Sequence, residues 1–176
     1  MHLSLLGMPG SGKTTLGRAL AQHLGRSFLD LDAEVVVRAG LAIPAIFAQH
    51  GEAHFRQLEA DALRAVAARP EPLVLATGGG TPCFYDNLNI LNTSTFTIWL
   101  DVPVAVLVRR LSRGGTARRP LLAAAGPDLA AWLAETLAAR KQFYAQARLR
   151  FAEANGPLAA LLSALAQAGF PARAPV

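Results

Sequence analysis

The sequence has few cysteines, lysines and aromatic residues, and each shortage excludes something. Cys83 is the only cysteine, so an intrachain disulfide is impossible and a reducing, cytoplasmic compartment is expected. No stretch approaches the roughly 20 apolar residues of a membrane span. The first residues show no basic segment followed by an apolar core, so we expect no secretion signal. These absences favour an enzyme with neither a membrane nor a secretory role.

The two lysines, Lys13 and Lys141, leave arginine to supply nearly all the positive charge behind a net charge of +5. A guanidinium group offers a rigid two-pronged donor for phosphate or carboxylate. No pattern combines basic with aromatic residues, as nucleic-acid recognition would require. We therefore expect two small anionic ligands and no nucleic acid. Eight of the fifteen arginines fall in two clusters, Arg109, Arg110, Arg113, Arg118 and Arg119, and then Arg140, Arg148 and Arg150.

A complete G-x-x-x-x-G-K-[ST] phosphate-binding pattern occupies residues 7–14. Glycines let successive backbone N–H groups surround an anion, Lys13 reaches the outer phosphates, and Thr14 offers its hydroxyl to Mg²⁺. An apolar strand-type run at residues 2–6 precedes it, and a helical pattern at residues 15–24 follows. That strand, loop and helix order favours a nucleotide site over the alternative, an ordinary glycine turn.

Apolar runs alternate with helical stretches along the chain, which predicts a three-layer α/β/α fold around a five-stranded parallel sheet. One domain spans residues 1–176, with an arginine-bearing mobile lid at about 113–127 and a frayed tail at about 171–176. The predicted strands cover residues 2–6, 27–32, 73–76, 95–100 and 149–152. The predicted helices cover residues 15–24, 33–40, 44–68 with a break at Gly51, 84–92, 103–112, 128–147 and 157–168.

Asp30 and Asp32 are predicted to end the second strand, where residues two apart share a face. Ligands bind outside the carboxyl ends of parallel strands. One carboxylate could therefore hold Mg²⁺ through water, and the other could orient or deprotonate a substrate hydroxyl. The alternative is structural, with Asp32 capping a helix and Asp30 solvated in a loop.

Two further segments carry functional hypotheses of their own. Arg56 could bind a substrate carboxylate, or pair with Glu52 or Glu59 on a helix surface. The three glycines at 78–80 follow a buried-type strand, where they add no packing, so a ligand close to their backbone N–H groups is the better explanation than a simple turn.

Arg119 lies in the predicted lid, where an arginine could neutralise a moving phosphoryl group; a solvated basic loop is the alternative. Arg140 alone would be interpreted as a surface residue. The histidines show no metal-ligand spacing, so zinc is not expected.

Together these motifs resemble one family, shikimate kinase, which belongs to the small P-loop kinases related in fold to nucleoside monophosphate kinases. The resemblance extends from Leu3 to about Leu165. It rests on an ordered set of motifs: residues 7–15, Asp30-Leu31-Asp32, Gly51-Glu52 with Phe55-Arg56 and Glu59, the glycines at 78–80, Arg119-Pro120-Leu121-Leu122, and Arg140 four residues before Tyr144.

The resemblance implies transfer of the ATP γ-phosphoryl to the 3-hydroxyl of shikimate, with one Mg²⁺ per subunit and a monomeric enzyme. Asp32, Lys13 and Arg119 would be catalytic. The implied shikimate ligands are Asp32, Arg56, Gly78, Gly79, Gly80 and Arg140. The implied ATP ligands are Gly10, Ser11, Gly12, Lys13, Thr14, Thr15, Arg119, Asn155 and Pro157, with either Arg110 or Arg113 against adenine. Thr14 would bind Mg²⁺ directly and Asp30 through water.

One position departs from the family pattern: many members carry a glutamate four residues after the second aspartate, and here Val36 stands there. We expect this to affect local packing or lid contacts and not the chemistry. A different small-metabolite kinase, such as a gluconate kinase, is the alternative enzyme. A nucleotide-dependent switch without catalysis is the alternative outside enzymes.

Overall fold

Five parallel strands form the centre of the computed structural model, which describes residues 1–114, 128–153, 156 and 158–170. The sheet has the order β2-β3-β1-β4-β5. Its strands are β1 His2–Leu6, β2 Ser27–Asp30, β3 Leu73–Ala76, β4 Thr95–Leu100 and β5 Leu149–Phe151. The described helices are α1 Lys13–Leu24, α2 Leu31–Ala39, α3 Ile43–Ala67, α4 Asn87–Ser94, α5 Val104–Gly114, α6 Leu129–Tyr144 and α7 Leu158–Gln167, with a short 3₁₀ helix at Thr81–Cys83.

Alternating side chains of the sheet enter two separate hydrophobic cores. Leu3 and Leu5 of β1 pack with α1 and α7, whereas Leu6 packs on the opposite face with α2, α3, α5 and α6. Both faces are covered, as buried parallel sheets require. The predicted three-layer α/β/α fold is confirmed. Among the described residues, no helix is both long and apolar enough to cross a membrane.

Several element boundaries follow from local chemistry that the sequence signals. Pro44 lies in the first turn of α3, where its missing N–H costs nothing. Gly40 ends α2 with a φ of 65°, and Gly51 interrupts α3 with a φ of 77°. The helix predicted at 84–92 covers Asn87–Ser94 instead, because Phe84 is extended and Tyr85 has a φ of 49°, neither of which continues a helix.

The prediction that residues 27–32 form one strand was wrong at its end. The strand stops at Asp30, whose carboxylate accepts a hydrogen bond from the backbone N–H of Asp32 at 3.1 Å and so caps α2. Asp32 therefore lies in the first helical turn, where its charge complements the helix dipole. The structural alternative was also wrong, since the capping residue is Asp30. Capping outweighed the extension of the strand.

Candidate active site

A cleft of about 760 Å³ lies at the carboxyl ends of the parallel strands. The loops that follow β1 and β3, the start of α2, and parts of α3, α5 and α6 line it. Most of the residues predicted as ligands contribute to this one cavity: Gly10, Ser11, Gly12, Lys13, Thr14, Thr15, Asp30, Asp32, Arg56, Gly78, Gly79, Gly80, Arg110 and Arg140. Widely separated segments thus meet where ligands bind in open parallel sheets.

The phosphate loop forms one end of the cleft. Lys13 Nζ donates hydrogen bonds to the carbonyl oxygens of Gly7 at 2.8 Å and Met8 at 3.0 Å, so the lysine is held across its own loop. Gly10 and Gly12 adopt φ values of 82° and 98°. Residues with a Cβ rarely adopt these angles, which explains the glycines of the motif. The arrangement fits a loop that presents backbone N–H groups to an anion.

Thr14 and Asp30 place oxygen atoms together beside this loop. The hydroxyl of Thr14 donates to Asp30 Oδ2 at 2.9 Å, while Asp30 Oδ1 holds the start of α2. Mg²⁺ prefers oxygen ligands and keeps several waters, so a hydroxyl and one carboxylate suit it when phosphates complete its shell. The described residues contain no cluster of three or more histidine, cysteine or acidic side chains that could hold a metal. The hydroxyl of Thr14 and the carboxylate of Asp30 are the donors that fit the implied magnesium.

Arg56 lies at the other end of the cleft and is 3% exposed. Its guanidinium donates to Glu59 Oε2 at 2.8 Å and to Glu52 Oε1 at 2.9 Å and 3.1 Å. The ring of Phe84 lies 4.3 Å from its Cζ atom. Both predicted acidic partners are present, but the surface interpretation of Arg56 was wrong, because the residue is buried in the cleft beside Gly80.

The glycines at 78–80 are explained first by the protein's own charged side chains. A Cβ atom on Gly80 would lie 2.8 Å from an Arg56 nitrogen, and one on Gly78 would lie 2.6 Å from Glu59 Oε1 and 3.2 Å from Asp32 Oδ1. A Cβ on Gly79 would lie 2.9 Å from Pro9. These separations leave no room for side chains. The glycines therefore let the loop lie against the charged groups that border the cleft.

Arg140 reaches the same loop from α6. One of its guanidinium nitrogens lies 3.2 Å from the position of a Gly79 Cβ. Burial raises the pKa of the nearby Tyr144 phenol above its usual range, an effect that the positive charge of Arg140 opposes. Burial also raises the pKa of the Cys83 thiol, which favours a packing role for this residue over a nucleophilic one. Arg56 of α3 and Arg140 of α6 thus border the same glycine loop.

The comparisons with known proteins agree with this geometry. The family model described as shikimate kinase matches residues 9–167. The chain belongs to the shikimate kinase family. A shikimate kinase from Parabacteroides distasonis is 42% identical over 147 residues, 84% of each chain. One from Symbiobacterium thermophilum is 45% identical over 147 residues, 84% of this chain and 83% of that one.

Solved structures of shikimate kinases also have a similar fold. A shikimate kinase from Acinetobacter baumannii, in complex with shikimate, has a TM-score of 0.85 and 34% identity, and the match covers 94% of this chain and 90% of that chain. A gluconokinase from Sinorhizobium meliloti has a TM-score of 0.54 and 20% identity over 96% and 91%. That likeness shows the shared fold alone. The family predicted from the motifs is confirmed.

Arg110 and Arg113, the two candidates for the adenine contact, differ in their position relative to the cleft. Arg110 lines the cleft and donates to the carbonyl oxygen of Gly10 at 3.0 Å. Arg113 is exposed and is not among the residues that line it. Arg119, Asn155 and Pro157 lie outside the described residues, as do the tail at 171–176 and all of the predicted lid beyond residue 114.

Several cleft residues were not predicted as ligands. Phe47, Trp132 and Glu153 line the cavity together with Glu59, which the motif included without a role. The aromatic residues lie on helices whose apolar periodicity predicts core packing, and both also contact the core. Periodicity cannot distinguish a core-facing residue from one at the rim of a cleft. Glu153 follows β5, and the position of a strand's carboxyl end was the only available signal.

Proposed function

We propose that the protein transfers the γ-phosphoryl group of ATP to the 3-hydroxyl of shikimate, giving ADP and shikimate 3-phosphate. A bond forms between the hydroxyl oxygen and the γ-phosphorus, and the bond from that phosphorus to the β–γ bridging oxygen breaks. The supporting observation is that one cleft joins a phosphate loop to a loop bordered by two arginines, with Asp30 and Asp32 between them. Asp30 contacts Thr14 of the first loop, and Asp32 borders Gly78 of the second.

In this proposal the substrate carboxylate binds Arg56 and Arg140, with backbone contacts from the glycine loop at 78–80. Arg56 is held by two acidic neighbours, so its orientation is set before the ligand arrives. Groups organised in advance lose less entropy on binding. Arg140 approaches from α6, which places positive charge on both sides of the loop.

Asp32 is the group assigned to the reacting hydroxyl. It is half-buried and lines the cleft at the start of α2, beside the glycine loop. A carboxylate there accepts the hydroxyl hydrogen bond and directs the oxygen at the γ-phosphorus. Asp32 acts either as a base or as an orienting acceptor, and the two roles differ in whether the proton moves to Oδ during transfer.

Lys13 and the backbone of residues 10–15 are assigned to binding the phosphates. Arg119 is assigned to neutralising the charge of the phosphoryl group during transfer. Thr14 would hold Mg²⁺ directly and Asp30 would hold it through water. When bound, Mg²⁺ supplies positive charge that neutralises the phosphate oxygens. Phosphoryl transfer needs positioning and charge stabilisation above all, which these side chains would provide.

Adenine is assigned to the surface of Arg110, opposite residues 155–157. Arg110 is preferred over Arg113 because only Arg110 lines the cleft. A planar guanidinium can stack on an aromatic base. We assign Asn155 and Pro157 to the opposite side from the family resemblance alone.

The proposal also includes a monomeric, cytoplasmic enzyme without nucleic-acid or membrane partners. The single cysteine and a cleft lined by Arg56, Arg110 and Arg140, which suits small anions, support it. Size-exclusion chromatography with light scattering tests the monomer: a mass near 18.6 kDa is expected, and a doubled mass would contradict it.

Coupled measurement of ADP release tests the activity. Purified protein is given ATP and Mg²⁺ with shikimate, gluconate or a nucleoside monophosphate as acceptor. We expect turnover with shikimate and background rates with the others. Preference for gluconate would support the alternative kinase, and no turnover with any acceptor would support a switch instead of an enzyme.

A further inference from the structure

Tyr144, the last residue of α6, lies where three parts of the cleft wall meet. Its side chain is fully buried. The phenol hydroxyl donates a hydrogen bond to the carbonyl oxygen of Gly79. The sulfur of Met8, at the base of the phosphate loop, lies 3.8 Å from the same oxygen. The Arg140 guanidinium borders the same glycine, with one nitrogen 3.2 Å from the position of a Gly79 Cβ, and its charge acts on the phenol. Tyr144 thus holds the glycine loop beside an arginine of the cleft.

The direction of this hydrogen bond is set by the groups involved. A carbonyl can only accept, so the phenol must donate to Gly79, and its oxygen lone pairs face the positive charge of Arg140. Only a protonated phenol can donate in this way. Burial raises the pKa of Tyr144, which keeps that proton in place across the working range of pH.

Gly79 depends on this contact because it has no side chain to fix its own position. The described chain contains no cis peptide, and the C=O and N–H groups of a trans peptide point in opposite directions. Holding the Gly79 carbonyl on Tyr144 therefore also sets the direction of the Gly80 N–H. Arg140, one helical turn earlier on α6, borders the same glycine, and its charge acts on the phenol.

We propose that Tyr144 is a positioning residue that orients Arg140 and the Gly79–Gly80 peptide together for the acid substrate. It touches no substrate itself and acts through these two groups. This inference rests on the proposed function, because it needs an acid ligand on Arg140 and the glycine loop.

Tyr144→Phe tests the proposal, since it removes the hydroxyl and keeps the buried ring. A hydrogen bond of this kind is worth a factor of roughly ten. We expect KM for shikimate to rise about ten-fold, and KM for ATP to change less than about two-fold. The matched control is Thr95→Val, because Thr95 is buried and its hydroxyl donates to the Leu91 carbonyl away from the cleft. We expect that variant to lose stability without changing either KM.

A double-mutant cycle shows whether Tyr144 acts through Arg140. Shikimate binding is measured by isothermal titration calorimetry in Tyr144→Phe, Arg140→Ala and the combined variant. We expect the combined loss of affinity to be smaller than the product of the separate losses, because the tyrosine has less left to orient once the arginine is gone. Fully multiplicative losses would contradict a shared role.

The remaining outcomes are distinguishable. Absence of shikimate-dependent ADP release by the unmodified protein would remove the proposed function itself. Normal KM values in Tyr144→Phe, alongside an active unmodified protein, would overturn only the positioning role. Equal rises in both KM values would assign the hydroxyl to general packing. A Tyr144→Phe chain that fails to fold while Thr95→Val folds would assign it to the fold, and that would also overturn the proposal.

Discussion

Two parts of the cleft differ in how they are built. The phosphate end is built largely from the backbone of one continuous segment. The part proposed to bind the acid substrate, called the acid end below, is built from side chains of separate elements. Residues 7–15 supply the first within one loop and the start of one helix. The second combines Arg56 from α3, Arg140 from α6, Asp32 from α2 and the glycine loop after β3. A local motif can bind a phosphate chain, but an acid on a ring needs groups from several directions.

The two ends also handle charge differently. The lysine of the phosphate loop donates to backbone carbonyls. Arg56 instead pairs with buried Glu59, which also accepts from the Thr81 hydroxyl, and with half-exposed Glu52. Burying an arginine requires paired charges, because an isolated ion would lose its hydration without compensation. The acid end therefore couples binding to folding stability. The variants below test how separate the two ends are.

Asp32→Asn should have the largest effect, and only on the acid end. Loss of a positioned carboxylate at the reacting hydroxyl lowers rates by about 10²- to 10⁴-fold. We expect kcat to fall within that range while KM for ATP stays within about two-fold, in steady-state assays of ADP release. Asp61→Asn is the matched control, since Asp61 is exposed and pairs with Arg64 on the surface. Near-normal turnover of the Asp32 variant would rule out an essential role.

Glu59→Gln should reveal the stability contribution of the buried network. Glu59 is fully buried against Arg56, whereas 47% of the Glu52 side chain is exposed. Removing one charge of a buried pair leaves the other uncompensated, so we expect the free energy of unfolding to fall by about 3 kcal/mol. Glu52→Gln should cost less than about 1 kcal/mol. Urea denaturation measures both, and equal losses would show that burial does not separate them.

Arg56→Ala should weaken binding at the acid end and not at the phosphate end, and it should also lower stability because Glu59 loses its buried partner. Charge-assisted hydrogen bonds to a carboxylate are worth about 1.5 to 3 kcal/mol, so KM for shikimate should rise roughly 10- to 100-fold. KM for ATP should hardly change. Arg64→Ala on the same helix serves as the control, because its side chain is half exposed and outside the cleft. An unchanged shikimate KM would contradict the carboxylate assignment.

Arg110→Ala should affect the phosphate end in the complementary way. Stacking of a cation on an aromatic base contributes about 0.5 to 1 kcal/mol at a partly exposed site, so KM for ATP should rise about two- to five-fold. Arg113→Ala, three residues further along α5, should leave it unchanged. A larger effect from Arg113 would reverse the assignment. A change in the shikimate KM would show that the ends are not independent.

Lowering the pH should produce the smallest effect, a loss of stability at the strands that support both ends. His2 Nδ1 accepts a hydrogen bond from the Leu73 N–H at 3.2 Å, linking β1, which leads to the phosphate loop, with β3, which leads to the glycine loop. Burial lowers the pKa of His2 below its usual 6.5. The unfolded chain therefore takes up a proton that the folded chain resists.

The free energy of unfolding should accordingly fall as pH drops below about 6.5 and show no contribution from His2 above that value. Urea denaturation at pH 5.5 and 7.5 should show this difference in the unmodified protein and a smaller one in His2→Asn. An identical difference in both proteins would assign the pH dependence to other groups.

Local signals predicted the fold well. The strand at Thr95–Leu100 has the predicted limits, because β-branched and apolar residues run without interruption from the end of α4 to Asp101. The short β5 was also predicted. The second strand was predicted too long, because the alternation of Phe28 to Asp32 continues into residues that a capping carboxylate directs into a helix. Boundaries depend on such competition.

The candidate site was predicted less evenly. Arg56, with only its helix neighbours considered, suited a surface ion pair as well as a ligand site, and its burial depends on how α3 packs. The reason for the glycines at 78–80 lies partly in side chains of Arg56, Glu59 and Asp32, which no local pattern connects to them. The hydrogen bond from Tyr144 to Gly79 and the position of Arg140 beside that glycine also depend on the fold.

By itself, the sequence determined the phosphate loop, the strand and helix order and the family, because backbone conformation and apolar periodicity are properties of neighbouring residues. Tertiary structure alone decided which charged groups face each other across the acid end of the cleft. Its reason is physical: Arg56 and Arg140 come from different helices, and their direction is set by the cores on which those helices pack.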